Sequence, residues 1–264
     1  MIYLIIGTIF NIFAECYKFV NYIRYFFTNY EYEIKEYRSE KNENKLRILN
    51  WNIHYGKSFF ETDNLIKMCE LINKLNIDIC VFQEVTSNKK ADQIQILKKC
   101  CGFDHHFFSQ DSVLFDYKKG NLILSKYEFI DKQKHRFKRY YFRPNNNAIS
   151  VKIKFKDEYI WINNLHLSCD VTGIQQKHQV LEFLNNTNLN EKNVVCGDFN
   201  SLASYSCVTR LKSSFKSGLA SKTFPSIYPL YQIDHVLYND ISDIKCQTLD
   251  STLSDHLPIL IEIV

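Results

Sequence analysis

Val194-Val195-Cys196-Gly197-Asp198-Phe199-Asn200-Ser201 is an apolar run that stops abruptly in a glycine, a carboxylate and an amide. A short apolar run bounded by turn formers reads as a buried strand. One that stops this way carries Asp198 and Asn200 to the rim of a sheet, on the same side of an extended backbone. Other segments, spread from Asn52 to His256, end in the same manner on residues of complementary chemistry.

Outward from that run, Leu46-Arg47-Ile48-Leu49-Asn50-Trp51-Asn52 reads as an opening strand. Thr62 is placed to cap a helix whose Leu65, Cys69, Ile72 and Leu75 share a face. Residues 78–82 form an apolar run ending at Gln83-Glu84, which completes a strand–helix–strand unit. Residues 121–124 give a short strand, and Ile149, Val151, Ile153 and Phe155 alternate with polar residues as a half-buried strand should. Lys156-Asp157-Glu158 turns that strand into residues 159–167. A helix over residues 174–184 follows, with Ile174, Leu181 and Leu184 as its apolar line. Residues 201–232 read as loop-rich, and strands over 233–238 and 257–264 close the chain. Hairpins mixed with strand–helix units predict an α/β (α+β) domain of two packed sheets flanked by helices.

The chain of 264 residues is 45% hydrophobic and 15% aromatic, which supports one folded core over residues 46–264. Its 33 basic and 29 acidic residues leave a net +4, compatible with an anionic partner. Nine cysteines show no Cys-x-x-Cys pair and no spaced framework. They read as reduced, buried thiols of an intracellular, cytosol-facing protein, not as zinc ligands or a disulfide scaffold. Cys169 falls under the same reading. Residues 1–45 stand apart. Ile5, Ile9, Ile12, Cys16, Val20, Ile23 and Phe27 recur at helical spacing, but the apolar run is shorter than the roughly 17–25 residues of a spanning helix. A basic start and a small-residue cleavage site are lacking, so the stretch reads as an amphipathic helix, with membrane contact through residues 2–27 set ahead of packing on the domain. Residues 30–45 read as a connector.

Hydrolysis of a phosphate ester needs a cation on the phosphoryl oxygens, a group that aims or deprotonates water, and one that stabilises the departing oxygen. The strand ends supply each class: Glu84 and Asp198 as carboxylates, Asn200 as an amide, His166 and His256 as imidazoles. Asp234, before His235, is a carboxylate that could orient and charge His256. Singly, each has an ordinary reading as a solvated turn residue.

Seven blocks together resemble the endonuclease/exonuclease/phosphatase superfamily. In order they are Trp51-Asn52-Ile53, Phe82-Gln83-Glu84-Val85, Gly120-Asn121-Leu122-Ile123-Leu124-Ser125, Asn164-Leu165-His166-Leu167, Gly197-Asp198-Phe199-Asn200, Ile233-Asp234-His235 and Ser254-Asp255-His256-Leu257-Pro258. The resemblance covers nearly all of residues 46–264 and implies the DNase I-like fold, a four-layer α-β-β-α sandwich of two mixed sheets. It implies Glu84 as principal ligand of Mg2+, with Mn2+ as the alternative, beside Asn52 and Asp255. It further implies Asp198 as the residue that positions or deprotonates water, Asn200 as its partner on the phosphoryl oxygen, and His166 near the scissile phosphate. Asp234 and His256 resemble the family's carboxylate–imidazole pair. The sparse oxygen-donor set suits Mg2+, which keeps waters and binds substrate phosphate. His54 and His235 read as supporting residues. Where the family commonly has Arg three residues before a Gln, this chain has Gln176 before Gln179.

The segment Lys132-Gln133-Lys134-His135-Arg136-Phe137-Lys138-Arg139-Tyr140-Tyr141-Phe142-Arg143 interleaves cations with aromatics. It suits a phosphate backbone with stacked bases, or an anionic membrane surface, and marks Arg143 as a substrate-binding residue. The expected activity is therefore that of a monomeric, metal-dependent phosphodiesterase, with nucleic acid as the first substrate and a phospholipid or head-group diester as the alternative. A binding module that keeps the fold without turnover is the remote third reading.

Overall fold

Strand β1 (Leu46–Asn52) sends successive side chains to opposite layers. Leu46 and Ile48 enter one apolar cluster, Leu49 and Trp51 another. The same period of two governs strand β2 (Ile79–Ser87), which pairs parallel to β1. Its Ile79 and Val81 join the first cluster, and its Cys80 and Phe82 the second. The computed structural model that shows this describes residues 32–264 except 38–39, 42, 90, 115, 139–145, 171 and 220.

Further strands are β3 (His105–Leu114), β4 (Tyr117–Ser125), β5 (Asp131–His135), β6 (Ala148–Phe155), β7 (Glu158–Leu165), β8 (Lys192–Asp198), β9 (Lys216–Ser217), β10 (Asp234–Asn239), β11 (Ile244–Thr248) and β12 (Ile259–Ile263). One sheet runs β11-β12-β1-β2-β4-β3 and the other β5-β6-β7-β8-β10-β9. Each is mixed, with β1/β2 and β7/β8 as parallel pairs in otherwise antiparallel surroundings.

The sheets meet face to face through Ile48, Val81 and Ile123 on one side and Val151, Ile162, Val194 and Val236 on the other. Helices α1 (Leu65–Lys74) and α2 (Gln93–Cys101) cover the outer face of the first sheet. Helices α3 (Ile174–Asn185) and α4 (Ser206–Lys212) cover the second through Val180, Phe183, Val208 and Leu211. Two mixed sheets between two helix layers make the DNase I-like sandwich. Full burial of a side chain such as Phe82 contributes roughly 1.5–3 kcal/mol, and three such clusters hold the four layers together.

At one end of the inter-sheet layer aliphatic residues give way to amides. Gln83 Nε2 donates to Asn50 Oδ1 at 3.1 Å and to Asn164 Oδ1 at 2.8 Å, while Asn164 Nδ2 donates to the Phe82 carbonyl at 2.9 Å. Buried amides are tolerable only when satisfied in this way. The network ties the two sheets together directly beneath the strand ends that bear the candidate site.

Several local expectations change. The first-turn cap of α1 comes from Asp63, whose Oδ1 accepts from Leu65 N at 3.1 Å, not from Thr62. The buried face of α3 is Gln175, Gln176, Gln179, Val180 and Phe183, whereas Ile174 is exposed, because that helix packs on a polar loop as well as on the sheet. The sequence reading assigns no element to β3, α2, β5, α4 or β11, whose patterns are short or polar. Part of the connector is docked: Tyr32 OH donates to Asp63 Oδ2 at 2.7 Å and Tyr37 N to the Lys99 carbonyl at 3.1 Å. Residues 2–27 lie outside the described residues. Among the described residues no helix is long and apolar enough to cross a membrane.

Candidate active site

Strand alternation aims the site residues. In β7 and β8, Ile160, Ile162, Val194 and Cys196 point between the sheets, so His166 and Asp198 emerge on that face one turn of the pleat later. Asp234 lies directly opposite Asp198 in the β10/β8 register. Asn52, Glu84, His166, Asp198, Asn200, Asp255 and His256 line one cavity of about 530 Å³, together with Lys119.

Glu84 reaches the cavity by another route. The β2/β4 register slips between Phe82 and Val85, and Glu84 sits in that bulge at φ 59°. Asp111 occupies a second bulge, where the β3/β4 register slips between Gln110 and Ser112. Bulges re-aim side chains near active sites. Both flank Gly120, which pairs with Val85 on one side and Gln110 on the other. A Cβ on Gly120 would meet the Ser109 carbonyl oxygen at 2.0 Å. Positive φ at His54, Tyr55, Glu84 and Asn200 concentrates backbone strain around this cavity, as functional sites commonly do.

His256 Nδ1 donates to Asp234 Oδ2 at 2.8 Å, and Thr223 Oγ1 donates to the same oxygen at 2.6 Å. Burial alone would lower the His256 imidazole. The Asp234 and Asp198 carboxylates outweigh it and raise it to about 10. Its Nε2 lies 3.8 Å from Asp198 Oδ2. His166 Nε2 lies at the same 3.8 Å from that oxygen, and its Nδ1 faces Asp111 Oδ2 at 3.8 Å. Asn52 Nδ2 donates to Asp198 Oδ2 at 3.0 Å, and Asn200 N donates to Oδ1 at 2.8 Å. Burial, with the Asp234 charge added, still leaves the Asp198 carboxyl above its usual range, despite His256 and His166.

Glu84 behaves oppositely. Burial pushes its carboxyl up, but Lys119, His166, His54 and His256 hold it down at about 2. Lys119 Nζ is 3.3 Å from Glu84 Oε1. Burial raises the Asp255 carboxyl, and the Glu84 charge adds to that rise. The Glu84 and Asp255 carboxylates, beside the Asn52 amide, form an oxygen-donor set of the kind a hard divalent cation takes. Asp198, Asp234 and His256 also offer ligand atoms within 4.8 Å of one another. There Asp234 and His256 already satisfy each other, so that trio works as a charged pair beside a carboxylate.

A family model described as the endonuclease/exonuclease/phosphatase family matches residues 49–256. The chain belongs to this family. Its members are in general hydrolases of phosphoester bonds that use a divalent metal ion. Among solved structures it is similar to an endonuclease/exonuclease/phosphatase from Beutenbergia cavernae, at 18% identity and TM-score 0.70 over 83% of this chain and 71% of that one. A family protein from Leptotrichia buccalis gives 16% identity and TM-score 0.70, over 83% and 99% of the two chains. The catalytic domain of human Nocturnin, solved with a bound sulfate anion, gives 18% and 0.66, over 83% and 93%. No curated protein sequence matches the chain.

Within this endonuclease/exonuclease/phosphatase fold the sequence-derived residues converge, with particular differences. Asp234 stands behind His256 and does not line the cavity. Asn200 is left-handed at φ 48°, not extended, and its Nδ2 donates to the Leu167 carbonyl at 2.9 Å, so its amide nitrogen is spent on the loop. Gln176 Nε2 donates to the Asn200 carbonyl at 3.2 Å, the task of the helix position where the family commonly has Arg. His54 lines the cavity, while His235 Nε2 binds the Ser201 carbonyl at 2.7 Å away from it. Cys169 is exposed and lines the cavity wall, contrary to the buried-thiol expectation, because residues 166–170 have left the sheet. The described cysteines are all free. Arg143 lies outside the described residues. Lys119 and Asp111 escaped sequence reading: neither sits in a recognisable motif, and the only signal was the adjacent Gly120-Asn121 block.

Proposed function

We propose that this chain is a Mg2+-dependent phosphodiesterase, with a nucleic-acid strand as its first substrate. The observation that carries the reading is the Asp198 carboxylate flanked at 3.8 Å by two imidazoles, opposite a Glu84 carboxylate held ionised. In this reading Glu84, with Asp255 and Asn52, holds the divalent ion, for which Mn2+ could substitute. The ion, when bound, supplies charge on the phosphoryl oxygens. Asp198, kept above the usual carboxylate range, accepts a proton from the water that attacks phosphorus as the bond to the departing oxygen breaks. His256, cationic through Asp234, and His166 donate hydrogen bonds to oxygens that gain charge in the transition state. Asn200 fixes Asp198 through its backbone N–H.

A second reading, a membrane phospholipid or head-group diester, has its own support. Phe60 and Tyr228 are 73% and 71% exposed, on loops whose neighbours Tyr55, Phe224 and Tyr231 line the cavity. The apolar pattern of residues 2–27 is in keeping with it.

Purified protein is expected to cleave a phosphodiester such as bis(p-nitrophenyl) phosphate with Mg2+ or Mn2+, and Asp198→Ala to lower kcat by on the order of 10²–10⁴-fold. Absence of turnover across a panel of nucleic-acid, sphingomyelin and inositol-phosphate substrates, or an Asp198→Ala protein as active as wild type, would overturn the reading. Sphingomyelin cleavage without nuclease activity would select the second reading.

A further inference from the structure

Beside the candidate active site lies a second cavity of about 630 Å³, lined by Lys118 of β4, Lys134 of β5, and Arg136 and Asn146 beyond it. Asn146 lines both cavities, so the two are contiguous. Lys118, Lys134 and Arg136 are exposed, and none of them forms an ion pair with a described residue. Among the described residues the one carboxylate in the lining is Asp111, whose side chain is 2% exposed and turned to His166. Three cations thus line one concave surface, and among the described residues none of them is ion-paired to a carboxylate.

Phe137 and Phe108 also line the cavity, but Phe137 is buried in the cluster under α3 and Phe108 is packed half-buried on the outer cluster of the first sheet. Neighbouring Phe107 packs on the inter-sheet cluster with Lys134 Nζ 5.5 Å from its ring. The described part of the basic segment therefore presents charge without exposed rings. A concave set of cations also fits a chain that enters the cavity better than a flat lipid surface, for which projecting apolar residues would be expected.

We propose that this cavity holds a second phosphate group of an extended substrate, namely the backbone of a single nucleic-acid strand whose neighbouring phosphodiester occupies the active site. The proposal rests on the phosphodiesterase reading for its geometry but makes a binding claim of its own. Lys118, Lys134 and Arg136 act as phosphate contacts, and they make affinity depend on strand length and on salt. Each phosphate neutralised on a single strand contributes a slope of about −0.7 in log K against log salt concentration.

The test is fluorescence anisotropy with a labelled ten-nucleotide oligothymidylate in chelator, so that no cleavage occurs, across 25–300 mM KCl. Lys118→Gln, Lys134→Gln and Arg136→Gln combined should weaken binding at least about tenfold at low salt and make the slope shallower by about 2. A control protein with Lys154→Gln, Lys156→Gln and Lys245→Gln, three exposed lysines elsewhere, removes the same charge and should match wild type. Thermal melting checks that both variants are folded. Equal weakening by both variants would reduce the effect to net charge and overturn the proposal. So would an unchanged slope in the groove variant, or binding of phosphatidylserine vesicles in place of the strand. If the strand binds as expected while no phosphodiester is ever cleaved, the function reading falls and the groove stands. Cleavage without groove-dependent binding has the reverse meaning.

Discussion

His256 and His166 approach the same oxygen of Asp198 from 3.8 Å, yet they are held in different ways. His256 is locked. Asp234 grips it at 2.8 Å, Thr223 fixes Asp234 at 2.6 Å, and the Phe224 ring lies against it with centroids 4.8 Å apart. His166 faces Asp111 across 3.8 Å, and neither its Nδ1 nor either oxygen of Asp111 has a hydrogen-bond partner among the described residues. The tight pair joins the sheets through settled backbone: Asp234 opens β10, opposite Asp198, and His256 lies just before β12, its carbonyl accepting from Trp51 Nε1 at 2.8 Å. The loose pair crosses the same gap, but from a bulge on β3 to the end of β7. A preorganised ion pair sets charge before substrate arrives, whereas an open one leaves room for tightening when substrate does.

The largest expected effect comes from breaking the tight pair. Asp234→Asn keeps the shape and removes the charge, so burial would dominate and His256 would become neutral at a much lower pH. We expect kcat to fall by on the order of 10²–10³-fold at pH 7.5, with the alkaline limb of the rate profile displaced to lower pH. The stability consequence has a definite sign. A histidine raised from about 6.5 unfolded to about 10 folded contributes stability that is fully present below pH 6.5 and disappears as pH rises through 10. Metal-free wild type should therefore lose Tm relative to Asp234→Asn between pH 7 and 10, by on the order of 5 °C. A constant difference across that window would show that the pair does not carry the charge.

Gly120→Ala attacks the other side of the comparison. The added methyl cannot fit against the Ser109 carbonyl, so β4 must shift against both bulges and carry Glu84 and Asp111 with it, while the Asp234–His256 pair, held by neither bulge, stays in place. A loss of about 1–3 kcal/mol in stability is expected from such overpacking. Activity should fall about 10–100-fold, with weaker metal binding by calorimetry as its signature. Unaltered metal affinity would mean that the bulge at Glu84 tolerates the shift.

The same contrast explains what was legible in the sequence. The tight half of the site was readable because its residues follow apolar strands with intact alternation: Val194 and Cys196 inward predict Asp198 inward, and Val236 does the same for Asp234. The bulged half was not. A bulge breaks the period of two, so Glu84 could be placed only by its motif, as if it ended a strand that in fact continues to Ser87. Asp111 lies in a polar stretch, Ser109-Gln110-Asp111-Ser112, with no periodicity to mark it as strand. Asn200 shows the converse failure: its spacing from Asp198 implied an extended backbone, and the left-handed turn there redirects its amide. Two packed sheets flanked by helices followed from apolar runs, and the four-layer order from the resemblance, but α3 was misjudged because its buried face is glutamine, whose packing is set by hydrogen bonds to Asn146, Ser168 and Asn200.

The smallest effect is expected from Asp111→Asn, and it decides what the loose pair is for. If the 3.8 Å gap closes when a phosphoryl group occupies the cavity, the Asp111 carboxylate helps hold the proton on His166 only in the working complex. Removing its charge should then lower kcat by about 3–10-fold while KM stays near the wild-type value, the pattern of an interaction made only in the transition state. Asp111→Glu, which restores the charge on a longer stem, should recover part of the loss. Because both imidazoles lie 3.8 Å from the same Asp198 oxygen, the Asp111→Asn and Asp234→Asn effects should depart from simple multiplication in the double variant by about 0.5–3 kcal/mol. A rise in KM with kcat unchanged would instead make Asp111 a contributor to substrate placement. Effects that simply multiply would instead mean that the two imidazoles act on Asp198 independently, despite the oxygen they share.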